Sequence, residues 1–494
     1  MSLNQIRLPM GSALAAMAAF LAGCAGVPPL DAQAVLRQAE TATGAANLKT
    51  LSFSGRGTGT TFGQAWQPGM AWPALNYSVL NRAVDYDNGA FREDYARSRG
   101  EPNGGGATPL MGTGEQRAVG LARGDFAWVV NGTAVAPSPA ALDGRLHDLW
   151  TTPHGAIKAA QKYGATAVQR SEGGQTYQAL SFSVPGRMQA TALIDSAGLV
   201  SKIESRMPNP VLGDIAVTTT FSDWRDAGAG VKFPMRIQQS QGGWPVLDLQ
   251  VSEVKPNAPV DIALPEAVRS ATERAVSERV AEGVWFIAGG SHNSVVIEMS
   301  DHLVLVESPL EDGRASAVMA EAKRLSLGKP IKTVINSHHH FDHAGGLRAA
   351  VAEGATLVTS AMAKPYFERV FANPNQIRPD RLAQSGKTAN IIGVDGKLVL
   401  RDGARTVEVH EMQGSVHAQG FMLVYLPKER LLIEADAYTP GPPNSPVPPV
   451  PNANAVNLVQ NIERLGLGVD RILPLHGRVV PVGELMAFVG RKQR

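Results

Sequence analysis

One short stretch of this chain concentrates side chains that bind metal ions. His338, His340, Asp342 and His343 fall within six positions. An extended backbone points alternate side chains the same way, and a tight turn after them would bring the last two round. Four donors so close together predict two neighbouring metal ions. Neutral imidazoles with one carboxylate suit zinc best, with iron and manganese as the alternatives.

The flanking segments place this cluster at the end of a strand. A β-branched run at residues 332–336 predicts a buried strand, and residues 347–353 have helical spacing. A histidine-rich surface tract or a cloning scar would lack this setting, so we interpret the cluster as a metal site. His339 lies between two ligands and is expected to point away from the metals, in a packing or supporting role.

Three later segments offer further ligands at strand ends, as two fully coordinated ions would require. His417 lies in a glycine-flanked turn between predicted strands at 406–410 and 421–425. Asp436 ends a strand that begins at residue 431, and His476 ends one that begins at residue 471.

Taken together, these motifs resemble the metallo-β-lactamase superfamily over about residues 280–494. The resemblance implies an α/β fold, an αβ/βα sandwich, with a dinuclear zinc centre. It implies one zinc held by His338, His340 and His417, a second held by Asp342, His343 and His476, and Asp436 as the bridge.

Two positions refine this resemblance. The bridging Asp436 is typical of the thioesterase, lactonase and sulfatase-like branches, whereas the true β-lactamases have a cysteine or no ligand there. The family's usual Asp-Thr after the third strand is Glu307-Ser308 here. We therefore expect the support of the ligands at this place to be weakened.

The implied ligand set predicts a hydrolase. Two bridged zinc ions lower the pKa of bound water to about 7, which gives a metal-bound hydroxide nucleophile at neutral pH. It is expected to attack the acyl carbonyl of a small-molecule ester, lactone or thioester, and Asp342 or Asp436 would pass a proton to the leaving group. Tyr438 is a candidate for orienting a substrate oxygen, with packing as the alternative.

Two other functions stay open at this stage. One is an iron-dependent oxidoreductase, since sulfur dioxygenases of the same superfamily use a comparable ligand set with one iron. His340 argues against the flavin-linked diiron members, which have glutamate there. The other is a carrier lipoprotein whose N-terminal sheet holds a hydrophobic ligand and whose metal domain is vestigial, although the complete ligand set argues against decay.

Weaker candidates surround the cluster. His292, on the loop between the first two strands of this domain, is expected to be solvated, with a position over the site as the alternative. Tyr366, Phe367 and Phe371 lie at helical spacing and predict core or pocket wall. The proline-rich segment 439–451 predicts a stiff loop beside the pocket.

The composition describes a globular protein of more than one domain. A chain of 494 residues is too long for one ordinary core. With 46 basic against 44 acidic residues and no run of like charges, it carries no nucleic-acid footprint.

The N-terminus predicts export. Residues 11–23 are apolar and small, follow Arg7, and are too short to span a bilayer as a mature helix. They end in Leu21-Ala22-Gly23-Cys24, which resembles a bacterial lipoprotein signal with Cys24 as the lipidated terminus, and Ala25 resembles the outer-membrane sorting pattern. An ordinary secretory signal is the alternative. Cys24 is the only cysteine, which suits an oxidising compartment.

The predicted domains are a signal at 1–23, an antiparallel β-rich (α+β) domain at 24–265 and the catalytic domain at 266–494. Short alternating segments from about 51 to 260 are separated by hairpin signals such as Asn131-Gly132, with a helical interlude from about 140 to 163. The pattern is similar to the half-barrel of periplasmic lipoprotein carriers, but a docking or lid domain is the preferred interpretation. A proline-rich linker at 255–265 separates the two domains.

Overall fold

The computed structural model of the protein describes residues 29–100, 114–403 and 405–491. The predicted signal and Cys24 lie outside the described residues. No helix in the described part of the chain is long and apolar enough to cross a lipid bilayer.

The N-terminal part is one long antiparallel sheet. Within residues 29–100 and 114–256, fourteen strands hydrogen-bond in the order β1, β8 to β14, then β2 to β7. The strands are β1 (Pro29–Leu30), β2 (Thr50–Thr60), β3 (Ala74–Asp85), β4 (Ala90–Arg99), β5 (Gln116–Arg123), β6 (Phe126–Asn131), β7 (Ala134–Pro137), β8 (Ala165–Glu172), β9 (Gln175–Val184), β10 (Met188–Ile194), β11 (Val200–Asn209), β12 (Gly213–Asp226), β13 (Lys232–Gln241) and β14 (Trp244–Pro256). The predicted meander is confirmed, including the hairpin between β6 and β7 at Asn131-Gly132.

Three helices pack on this sheet, namely α1 (Ala32–Thr43), α2 (Leu142–Trp150) and α3 (Pro153–Tyr163), with 3₁₀ turns at Ala45–Asn47 and Pro139–Ala141. The Asp31 side chain caps α1 by accepting from the backbone N–H of Gln33, which satisfies one of the free donors of the first turn. The buried face of α1 shares a hydrophobic core with the alternating inward residues of the strands.

The C-terminal part is a two-sheet α/β sandwich, as predicted. The first sheet contains β15 (Val276–Ala281), β16 (Val284–Ala288), β17 (Ser294–Glu298), β18 (Leu303–Val306), β19 (Ile331–Ile335), β20 (Thr356–Ser360) and β21 (Ile391–Val394). The second contains β22 (Lys397–Arg401), β23 (Thr406–Glu411), β24 (Met422–Leu426), β25 (Leu431–Glu434), β26 (Arg471–Pro474) and β27 (Val480–Pro481). One hydrophobic core joins residues of both sheets.

Helix α4 (Glu266–Arg269) packs on the N-terminal sheet. The helices of the sandwich are α5 (Asp312–Leu325), α6 (Phe341–Ala344), α7 (Leu347–Glu353), α8 (Lys364–Phe371), α9 (Arg381–Ser385), α10 (Ala453–Leu465) and α11 (Val482–Phe488). Helices α5, α7 and α8 pack on the first sheet through a separate hydrophobic cluster, which includes Tyr366 and Phe367. Strands β18 to β21 run parallel, so the carboxyl ends of these strands lie along one edge.

The predicted domain boundary between residues 265 and 266 stays a prediction. Strand β14 ends at Pro256, and the first strand of the sandwich begins at Val276. Between them, Ile262 and Val268 pack with Trp128 of the N-terminal sheet. The connecting segment therefore packs on the N-terminal sheet before the chain enters the sandwich.

Candidate metal centre

The histidine cluster lies on the turn that leaves strand β19. Residues 336–340 extend beyond the strand, and α6 begins at Phe341. The backbone closes sharply because the N–H groups of His343 and Ala344 both donate to the His340 carbonyl, at 3.0 and 2.9 Å. The first glycine of the turn, Gly345, leaves no room for a side chain, since a Cβ there would lie 1.8 Å from the Leu310 carbonyl oxygen.

The structure brings the first predicted ligand set together. His338, His340 and His417 are all buried, and their ring nitrogens form one compact group. His417 Nε2 lies 3.2 Å from His338 Nε2 and 3.0 Å from His340 Nδ1. Nitrogens that bind one zinc ion tetrahedrally at 2.0–2.1 Å are separated by about 3.3 Å. The three rings therefore have the spacing of ligands to a common ion.

The second predicted set converges beside the first. His476 Nε2 lies 3.1 Å from His343 Nε2, and the Asp342 carboxylate lies 3.7 Å from that same His343 nitrogen. His343 lies in α6, after β19 of the first sheet, whereas His476 follows β26 of the second sheet. Both sheets of the sandwich thus contribute to this set.

Asp436 lies between the two sets, in the position expected of a bridge. Its Oδ2 is 2.7 Å from His343 Nε2, 3.4 Å from His338 Nε2 and 3.6 Å from His417 Nε2. Its Oδ1 is 3.3 Å from His476 Nε2. One carboxylate therefore contacts ligands of both predicted ions.

Most of these histidines use their other ring nitrogen for a hydrogen bond to the protein. His338 Nδ1 is 3.0 Å from the Ser337 hydroxyl, His340 Nε2 is 2.9 Å from the Ala65 carbonyl, and His476 Nδ1 is 3.2 Å from the Ser291 carbonyl. A carbonyl accepts only from a protonated nitrogen, which leaves the opposite nitrogen free to bind a metal. This donor chemistry fits bound metal ions.

Glu307 supports His343, and the expectation that support would be weakened at this place is wrong. The carboxylate is fully buried, with Oε2 3.1 Å from His343 Nδ1 and 2.5 Å from the Ser337 hydroxyl that donates to it. Asn336 Nδ2 donates to Oε1 at 2.9 Å. Glu307 has a φ of +67°, an uncommon backbone conformation that places its longer side chain under the turn.

Burial keeps four of the candidate histidines in the neutral form that binds metal ions. Burial lowers the pKa of His338 and His340 well below the usual range, lowers that of His417, and lowers that of His476 to about 4. These four imidazoles are therefore neutral at pH 7.

His343 behaves oppositely. Burial lowers the pKa of its imidazole, but the carboxylates of Asp436 and Asp342 outweigh burial and hold that pKa well above its usual range. Burial likewise raises the pKa of the Asp436 carboxyl, and the neighbouring His343 outweighs it, so that this pKa lies well below its usual range. The two carboxylates therefore favour a positive charge between them, which the protonated His343 supplies here. A bound metal cation would take the place of this proton.

His292 is not solvated, contrary to the preferred expectation. It is buried, its Nε2 lies 3.1 Å from Asp342 Oδ2, and its ring is 4.3 Å from that of His476. Its loop is held by the fully buried Arg314, whose Nη2 donates to the His292 carbonyl at 3.1 Å. His292 therefore joins the second ligand set as a fourth polar group.

Two other predictions have different outcomes. His339 lies outside the candidate ligand groups of the described residues, and its Nε2 is 2.9 Å from the Ala65 carbonyl, as expected for a supporting residue. Tyr438 was a catalytic candidate, but its ring packs in the C-terminal core, 5.2 Å from that of Phe488. Its contacts are those of the packing alternative, and we assign it no catalytic role.

Comparison with known proteins agrees with this geometry. Residues 287–476 match the family model described as the metallo-beta-lactamase superfamily. This match begins in β16 and ends at the last candidate ligand, His476. The C-terminal domain is therefore a metallo-beta-lactamase superfamily domain.

A curated relative and two solved structures also match part of this chain. The alpha subunit of the 2,4-dinitroanisole O-demethylase of Nocardioides sp. (strain JS1661) is 27% identical over 202 residues, 40% of this chain. The chain spans 57% of that relative's length. A metallo-beta-lactamase from Pontibacter korlensis is 15% identical, with 44% of this chain and 98% of that chain covered and a TM-score of 0.32. The rubredoxin oxygen:oxidoreductase of Desulfovibrio gigas is 16% identical, with 44% and 61% covered and a TM-score of 0.34.

Proposed function

We propose that this protein is an exported, dinuclear zinc hydrolase that cleaves an acyl bond in an ester, lactone or thioester. The observation that carries the proposal is the position of Asp436, whose two carboxylate oxygens contact histidines of both candidate ligand sets. Superfamily membership of the C-terminal domain supports an enzymatic role.

The proposed ligands divide as follows: His338, His340 and His417 for one ion, Asp342, His343 and His476 for the other, and Asp436 for both. Two zinc ions bound there would polarise a carbonyl oxygen and acidify water enough to make it nucleophilic near pH 7. No serine or cysteine nucleophile is then needed.

The exposure of the Asp342 and Asp436 side chains suggests which of them transfers the proton to the leaving group. The Asp342 side chain keeps 31% of its surface accessible, whereas Asp436 keeps 7%. We therefore assign the transfer of a proton to the leaving group to Asp342, because a leaving group approaches from solvent. Asp436 serves as a fixed anionic ligand.

The first ligand set favours zinc, since three histidines with an open position are a common catalytic zinc arrangement. The second set, with two histidines and a carboxylate, also suits non-haem iron, so an iron-dependent oxidoreductase is the competing function. Metal analysis of protein purified without added metal distinguishes the two. Two equivalents of zinc support the hydrolase, and iron with oxygen consumption supports the oxidoreductase.

A substrate panel tests the reaction class. It should contain aryl esters, lactones and thioesters, together with 2,4-dinitroanisole, because the printed name of the Nocardioides relative adds cleavage of an activated aryl ether as a second candidate. His340→Ala is the inactive reference. His302→Ala is the matched control, since the His302 side chain bonds its neighbour Asp301 and lies outside the candidate ligand groups of the described residues.

We expect acyl hydrolysis that His302→Ala retains and His340→Ala loses by more than about 100-fold. Turnover of the aryl ether alone would replace the acyl assignment. Absence of turnover, with lipid co-purifying with the N-terminal sheet, would favour a carrier protein instead.

We also propose that the protein is anchored to the outer membrane through a lipidated Cys24. The support is the sequence of the signal alone. Membrane fractionation of the wild type and Cys24→Ser tests it: the substitution should release the protein into the soluble periplasmic fraction. An unchanged distribution would contradict the anchor.

A further inference from the structure

A loop of the N-terminal sheet reaches the candidate metal centre. This loop, residues 61–73, connects β2 to β3 and is called the site loop here. Gln64 Nε2 donates to Asp342 Oδ1 at 2.8 Å. The next carbonyl, that of Ala65, lies 2.9 Å from His340 Nε2. The N-terminal part thus touches one candidate ligand of each metal set.

The site loop is fixed by close packing on the turn that carries the ligands. The rings of Phe62 and Trp72 lie edge-on to Phe341, at 5.3 and 6.3 Å between centroids. Between them, the Phe341 N–H donates to the Gly63 carbonyl at 3.2 Å. Gly63 has a φ of +80°, and a Cβ there would lie 2.5 Å from the Phe341 ring. Only glycine allows this approach.

The two hydrogen bonds have defined consequences for the ligands. The Ala65 carbonyl accepts from His340 Nε2, so the His340 proton resides there and Nδ1 faces His417. The Gln64 amide occupies Asp342 Oδ1, while Oδ2 faces His292 and His343. These contacts fix the orientation of the Asp342 carboxylate, with Oδ2 on the side of the second candidate ligand set.

We propose that the site loop completes the metal centre and that Gln64 is a positioning residue for Asp342. This inference rests on the proposed metal centre, but not on the identity of the substrate. The N-terminal part is then a structural component of the active site, and the isolated C-terminal domain lacks two of the contacts that orient its ligands.

Gln64→Met provides the test, because methionine keeps the length of the side chain and removes the amide. Gln67→Met is the matched control: Gln67 lies on the same loop, and its amide bonds Gln419, which is not a candidate ligand. Both variants are made in the full-length protein. The affinity for each of two zinc ions is measured by competition with a chromophoric chelator, and kcat and KM are measured separately.

We expect Gln64→Met to weaken the second zinc ion by about 10- to 100-fold and to leave the first unchanged, as found for residues that orient metal ligands. kcat should fall with little change in KM. Gln67→Met should bind both ions within about twofold of the wild type. Equal affinities and kcat in the two variants would overturn the proposal.

Gly63→Ala supplies a second variant that acts through the backbone. Its Cβ would displace the site loop and withdraw the Ala65 carbonyl from His340, so the affinity for the first ion should also fall. Retention of both affinities would contradict the role of this carbonyl. A wild type that binds two zinc ions without hydrolysing any acyl substrate would refute the proposed reaction and leave these metal measurements valid.

Discussion

Glu307 offers the sharpest test of how the second ion is supported. The hydrogen bonds to its carboxylate come from donors: Asn336 Nδ2 and, at 3.4 Å, the Ser337 N–H to one oxygen, and the Ser337 hydroxyl and His343 Nδ1 to the other. In Glu307→Gln, one of these oxygens becomes an NH₂ group. Whichever way the amide is turned, its NH₂ group then faces another donor, either His343 Nδ1 or Asn336 Nδ2.

The size of the effect follows from this geometry. Loss of a partner that orients a metal-binding histidine costs about 10- to 100-fold in metal affinity, or about 1.4–2.7 kcal/mol. The first ion should be unaffected, since Glu307 contacts none of its three proposed histidines directly. His338 is reached only through the Ser337 hydroxyl, which the substituted amide still contacts.

The assay is zinc competition with a chelator, combined with thermal unfolding of the metal-free protein. Glu408→Gln is the control, because Glu408 pairs with His410 at 2.9 Å in strand β23, outside the candidate ligand groups of the described residues. If both variants bind the second zinc ion equally tightly, the assigned role of Glu307 is refuted.

Three further predictions concern the ligands, the turn and the N-terminal fold. His340→Ala should abolish turnover and lower the bound metal, while circular dichroism shows the N-terminal sheet still folded. Gly345→Ala should cause a similar loss of metal, because its Cβ would collide with the Leu310 carbonyl, and unchanged metal content would contradict this. Burial lowers the pKa of His154 to about 4, so the folded state binds fewer protons than the unfolded chain. The free energy of unfolding should therefore fall by up to about 3 kcal/mol as the pH decreases from about 6.5 towards 4. Denaturant unfolding of His154→Gln should show a smaller decrease over the same pH range.

The sequence predicts where the candidate ligands converge because they are tied to strand ends. His417, Asp436 and His476 each follow a hydrophobic run, and the ends of neighbouring strands meet at one edge of a sheet. Their chain order and spacing therefore contain most of the information needed to place them. Each of them lies in the centre that the structure shows.

Other features depend on tertiary contacts that no local pattern encodes. The hydrogen bond from Gln64 to Asp342 joins residues 278 positions apart, and nothing within the site loop signals its partner. Strand β15 escapes prediction because most of its residues are exposed or half-buried. It therefore lacks a hydrophobic run.

Two mistaken expectations have the same origin. The burial of His292 depends on Arg314, which holds the loop from a different element, helix α5. Glu307 was interpreted as a departure that weakens the site, but Asn336 and Ser337 surround its longer side chain and direct it to His343. A residue type alone does not reveal which donors it will meet.

The central claim is that seven side chains from both sheets of the sandwich bind two adjacent cations. Anomalous diffraction at the zinc edge, on crystals of protein purified without added metal, tests it most directly. We predict two peaks about 3.5–4 Å apart, with Asp436 in contact with both. A single peak, an iron signal instead of zinc, or ligands other than these seven would contradict the account.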